Sequence, residues 1–96
     1  MLVLVTYDVN ITSEDGEKRL RRVAKECQNY GQRVQNSVFE CIVNEAQYTI
    51  LKAKLKDIIN NELDSLRFYR LGKNWEKHIE SIGKKTSIDM VSELII

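Results

Sequence analysis

Residues 1–10, MLVLVTYDVN, run through six uncharged, mostly β-favouring residues from Leu2 to Tyr7 and then break at a carboxylate, Asp8. Apolar side chains fall on both alternating faces of the run, the pattern of a strand buried on both sides. A signal peptide would also begin apolar, but this stretch lacks a basic leading segment and a small-residue cleavage site, and Asp8 cuts it short. It is therefore predicted to be a strand. An acid with no second acid beside it then stands at the strand's end, either as a turn residue or as half of a site completed elsewhere.

Downstream, Thr12 or Ser13 is expected to cap a helix, with Glu14 and Asp15 placed to favour its positive end. Leu20, Val23, Ala24, Cys27 and Tyr30 recur at helical spacing, and Gly31 is expected to supply a left-handed stop. Arg33 to Asn36 and Val38 to Val43 read as a hairpin turning at Asn36 and Ser37. Asn44 with Gln47 forms a capping-box pattern ahead of a second helix, whose stripe is Tyr48, Leu51, Leu55, Ile58 and Ile59. Lys52, Lys54 and Lys56 mostly face away from that stripe, as a solvated surface would. Asp64 to Leu71 is a fourth strand, and His78 to Ile82 a late short one.

The order β-α-β-β-α-β is that of an α+β, ferredoxin-like sandwich, here with an extra C-terminal strand. Such a sheet leaves one face wet, whereas the first strand is apolar on both sides. A homodimer with its sheets face to face resolves the conflict. The 96 residues suit one domain, assigned to 1–83, with 84–96 as a C-terminal arm laid on the partner protomer.

A composition of 43% hydrophobic and 30% charged residues fits a globular protein and excludes a disordered one. No stretch suits a bilayer span. Cys27 and Cys41 have neither CxxC nor Cys/His spacing and read as core thiols, which points to a reducing cytoplasm. The net charge of +1 conceals an uneven distribution: Lys18, Arg19, Arg21, Arg22, Lys25 and Arg33 face only Glu26 across residues 18–35. Arg19 and Arg22 share one helix face, and Arg21 points elsewhere. These arginines serve either as phosphate forks or as an ordinary solvated face with pairs such as Glu17–Arg21 and Arg22–Glu26.

Taken together, VTYDV (residues 5–9), KRLRRVAKECQNYG (18–31), RVQNSVFEC (33–41), LRFYRLG (66–72) and IESIG (79–83) resemble CRISPR-associated protein 2 over about the whole chain, in wording closest to the type I-C branch. The resemblance implies a homodimer that bridges units of the CRISPR integrase, CRISPR-associated protein 1, while foreign DNA becomes spacers. It also implies a metal-dependent endonuclease acting on RNA or double-stranded DNA.

On its own residues Asp8 reads as a turn residue; the resemblance makes it the catalytic metal ligand. Phosphodiester hydrolysis needs an activated water and charge neutralisation, both of which a divalent metal supplies. Magnesium takes roughly six oxygens, several of them water, so one or two carboxylates suffice. Across a dimer axis two copies of Asp8 become a pair. Tyr7 is expected to support Asp8, and Arg19, Arg22, Arg33 and Ser37 to contact nucleic acid. His78 and Trp75 read as structural. Three functions stay open: a magnesium-dependent nuclease, a DNA-binding adaptor without chemistry, and a toxin-like ribonuclease of the same fold.

Overall fold

The computed structural model describes residues 1–71 and 79–84. Its elements are β1 (Leu2–Asp8), α1 (Gly16–Gln28), β2 (Gly31–Gln35), β3 (Val38–Ile42), α2 (Glu45–Ile58), β4 (Ser65–Leu71) and β5 (Ile79–Gly83). The sheet runs β2-β3-β1-β4-β5 and every neighbouring pair is antiparallel. This is the ferredoxin-like arrangement with a fifth strand beside β4. Trp75, His78 and nearly all of the expected arm lie outside the described residues.

Alternation along β1 sends Val3, Val5 and Tyr7 into the core, where they join Val23 and Cys27 of α1 and Tyr48, Leu51 and Leu55 of α2. Both apolar stripes read from the sequence are the faces the helices bury. At α2 the capping box is present: Gln47 N–H donates to Asn44 Oδ1 at 2.8 Å and Asn44 N–H to Gln47 Oε1 at 2.9 Å. Cys27 and Cys41 are buried and unlinked. Lys52 departs from its expected solvated role, since its ammonium donates to Glu80 Oε2 at 2.8 Å and so ties α2 to β5.

Two local expectations fail, each for a physical reason. Neither Thr12 nor Ser13 caps α1, because Asn10 engages both: Thr12 donates through its backbone and its hydroxyl to Asn10 Oδ1, and the Ser13 hydroxyl donates to Asn10 O. Helix α1 instead starts at Gly16, behind Asp15 in a left-handed conformation (φ 59°) that aspartate tolerates better than most residues. Gly31 is not a left-handed stop; it is the first residue of β2. It must be glycine because a Cβ there would strike the backbone oxygen of Glu40 across the β2–β3 pairing.

The face opposite the helices is not uniformly wet. Thr6, Val38, Arg67 and Tyr69 are buried there, whereas Ile42, at the end of β3, is 73% exposed. Register sets Ile42, Leu2 and Leu71 side by side across β3, β1 and β4, an apolar row at the end of the sheet remote from Asp8.

Candidate functional site

Asp8 closes β1 at the point where that strand still pairs with β4, opposite Ser65. Its side chain is exposed, and among the described residues it has no hydrogen-bond or ion-pair partner. The strand ends there because the chain turns into the Asn10 loop, whose geometry is locked from below by Asp64.

Asp64 is fully buried and sits just before β4. Its Oδ1 accepts from Asn10 N–H at 2.9 Å and its Oδ2 from Asn60 N–H at 2.9 Å. Arg19 completes the set in a forked contact, Nε to Oδ2 at 2.8 Å and Nη2 to Oδ1 at 3.3 Å. The same guanidinium donates to Glu14 O and Ser13 Oγ at 2.8 and 2.7 Å. Burial pushes the Asp64 pKa up, but the Arg19 hydrogen bond and the two backbone donors outweigh it, so the carboxyl lies below its ordinary value. Reciprocally, the hydrogen bond to Asp64 raises Arg19 above its ordinary value. This network fixes the loop two residues beyond Asp8, and it occupies the guanidinium that sequence assigned to phosphate.

The other predicted residues separate. Tyr7 points into the core, on the opposite side of the strand from Asp8; its N–H donates to Ser37 O at 3.0 Å and its hydroxyl to Asn36 O at 3.4 Å. Its aromatic ring stacks with Phe39 at 6.2 Å, and burial raises its pKa against the lowering effect of Arg33. Tyr7 thus pins the β2–β3 turn to β1 and touches no part of the Asp8 carboxylate. Arg33 lies over the Phe39 ring at 5.3 Å. Arg22 is exposed. The anticipated pairs Glu17–Arg21 and Arg22–Glu26 do not form; Glu26 meets Lys54 at 3.9 Å instead.

Arg33 and Ser37 do come together, in company the sequence reading left out. With Arg21 and Lys25 they line a cleft of about 630 Å³ between α1 and the β2–β3 turn, floored by Tyr7, Leu20 and Ala24. The signal was present in the spacing: Arg21, Lys25 and Gln28 follow one another at four and three residues, beside the buried stripe.

The architecture is that of an antiparallel α+β sandwich with a bare carboxylate at one strand end and, apart from it, a cleft rimmed by basic side chains. No group of three or more potential metal ligands occurs among the described residues. Comparison with known proteins places the chain more narrowly. Residues 1–79 match the model of CRISPR associated protein Cas2, and the chain belongs to that family. It is 62% identical over 95 residues to the CRISPR-associated endonuclease Cas2 of Halalkalibacterium halodurans, covering 99% of each chain. With the CRISPR-associated endoribonuclease Cas2 of Chlorobaculum tepidum it shares 56% identity over 96 residues, the full length of both. Among solved structures, Streptococcus pyogenes Cas2 at pH 6.5 superposes with a TM-score of 0.71 at 58% identity, covering 86% of this chain and all of that one.

Proposed function

We propose that this protein is a magnesium-dependent endonuclease acting on RNA or double-stranded DNA, working as a homodimer in CRISPR spacer acquisition. The observation that carries the proposal is Asp8: an exposed carboxylate, free of partners among the described residues, at a strand end held by the Asp64 network. Support also comes from the names of its relatives, endonuclease in one case and endoribonuclease in others.

One chain supplies one hard oxygen, too little for a protein-built cage but enough for an ion that keeps most of its water. Two copies of Asp8 across a twofold axis would hold it; a cation there would activate water and neutralise phosphate charge. Face-to-face pairing of the sheets would also cover the row of exposed Ile42 and half-buried Leu2 and Leu71. The dimer bridges units of the CRISPR integrase, CRISPR-associated protein 1, and with its unlinked thiols works in the cytoplasm. No helix among the described residues is long and apolar enough to cross a membrane.

Cleavage of RNA and of duplex DNA in magnesium, wild type against Asp8→Asn, tests the chemistry. Cleavage by Asp8→Asn at the wild-type rate overturns the nuclease reading. A second reading, an architectural adaptor without chemistry, rests on the basic cleft lined by Arg21, Lys25 and Arg33, which lies apart from Asp8. It gains if Asp8→Asn leaves spacer integration intact while Arg33→Ala abolishes it.

A further inference from the structure

We propose that the cleft between α1 and the β2–β3 turn receives one nucleotide unit of a single strand, its phosphate on Arg21 and Arg33 and its base against Leu20 and Ala24. This rests on the reading of the protein as one that acts on nucleic acid, and it assigns to that activity a subsite separate from Asp8.

Three features of the cleft converge on that ligand. Its rim carries Arg21, Lys25 and Arg33, and no carboxylate is among its described lining residues. Among the described residues Arg21 and Lys25 form no ion pair and Arg33 holds only the Phe39 ring, so three cations face the same space with no described counter-charge. This differs from a solvated helix face, where i and i+4 partners of opposite sign share the charge. Guanidinium forks on two different elements, α1 and β2, suit the several oxygens of one phosphate.

Below the rim the surface turns apolar. Leu20 is half-buried, Ala24 is 8% exposed, and Tyr7 closes the bottom. At about 630 Å³ the cavity falls within the usual range for small-ligand sites, roughly 300–1,000 Å³. A bare phosphate would leave that floor uncovered, whereas a base would fill it. Gln28 and Asn36 stand at the margin with both amide donors and acceptors, the chemistry that meets base edges. A base stacked within a duplex cannot enter such a recess; an unstacked base in a single strand can.

The test is a titration of the full-length protein followed by backbone amide shifts, using uridine 5′-monophosphate, inorganic phosphate, a single-stranded decauridylate and a twenty-pair DNA duplex. Expected are saturable shifts confined to residues 20–28 and 33–37, with the mononucleotide binding about tenfold tighter than phosphate because its base is buried. The decamer should perturb the same residues. Arg21→Ala and Arg33→Ala should each weaken the nucleotide on the order of tenfold. Ala24→Leu, which fills the floor and keeps every charge, should weaken it as much; thermal melting confirms that it folds, and the wild-type shift map stands if it does not. Equal affinity for phosphate and nucleotide, shifts spread over the whole basic surface, or duplex displacing the mononucleotide from the cleft would each overturn the proposal. Cleavage by wild type without cleft shifts sinks the cleft and leaves the nuclease reading standing. Nucleotide seating in a protein that cleaves nothing does the reverse.

Discussion

Arg19 and Arg21 stand two residues apart on the same helix and have opposite situations. Arg19 is folded inward onto a buried carboxylate and three other oxygens, those of Glu14 O, Asn10 O and the Ser13 hydroxyl, with 12% of its side chain exposed. Arg21 is exposed at the mouth of the cleft beside Lys25 and Arg33. A basic stripe in a sequence is therefore not a unit. One of its members is consumed in holding the fold, and the difference is decided by Asp64, 45 residues away.

The largest effect is expected at Asp64. Asp64→Ala strips the acceptor from the Asn10 and Asn60 amides and from the Arg19 fork at once, in a fully buried position. Such losses cost about 3–5 kcal/mol. Urea unfolding should show that drop, and cleavage should fall with it, because the loop following Asp8 loses its anchor. A cost below about 1 kcal/mol would mean that the network does not fix the loop.

Acid supplies the same perturbation reversibly. The folded-state pKa of Asp64 is lowered, so between that value and the ordinary one, about 3.9, the unfolded chain binds a proton that the folded chain does not. Its stabilising contribution is thus complete above about pH 4 and is lost as pH falls through the lowered native value. Urea midpoints measured from pH 2 to 7 should trace that loss in wild type, and Asp64→Ala should flatten it.

On the other side of the comparison, Arg21→Ala should leave the urea midpoint where it is, since no described contact depends on the side chain. Binding of single-stranded nucleic acid should weaken, and the slope of log affinity against log salt should shrink by about one phosphate contact, roughly 0.7 for a single strand. Equal effects of Arg19→Ala and Arg21→Ala on the salt slope, at equal stability, would erase the distinction between them.

Legibility in the sequence followed the range of the interaction. The α2 capping box joins residues three positions apart and its stripe lies on one helix, and both are as read. Strand β1 and the turn at Asn36 and Ser37 rest on equally local signals. The cap of α1 failed because Asn10 is a stronger local partner for Thr12 and Ser13 than the helix end is. Asp64 looked like the first residue of a strand, and only the fold brings it beneath Asn10 and Arg19. The cleft needed two elements, α1 and the β2–β3 turn, to meet before Arg21 acquired neighbours. Asp8 was visible from the outset as an acid ending a strand, but its isolation from every described partner emerged only with the surrounding geometry.

A small loss of stability is expected at the other edge of the sheet, where an ion pair of similar length has a different environment. Lys52 donates to Glu80 at 2.8 Å, as close as Arg19 to Asp64, and Tyr48 donates to the same carboxylate at 2.9 Å. Chiefly the Lys52 hydrogen bond lowers the Glu80 pKa, against the opposing effect of burial. Yet 40% of the Glu80 side chain and 31% of Lys52 are exposed, so water and salt screen the pair and much of that shift does not translate into stability. Lys52→Ala should therefore cost below about 1 kcal/mol, and less still in 1 M salt, where the screening length is about 3 Å. Urea unfolding of Lys52→Ala and Asp64→Ala side by side at two salt concentrations measures the contrast. If both cost the same at both salts, distance alone would set the strength of these pairs, and burial, which separates Arg19 from its neighbours, would have no part in it.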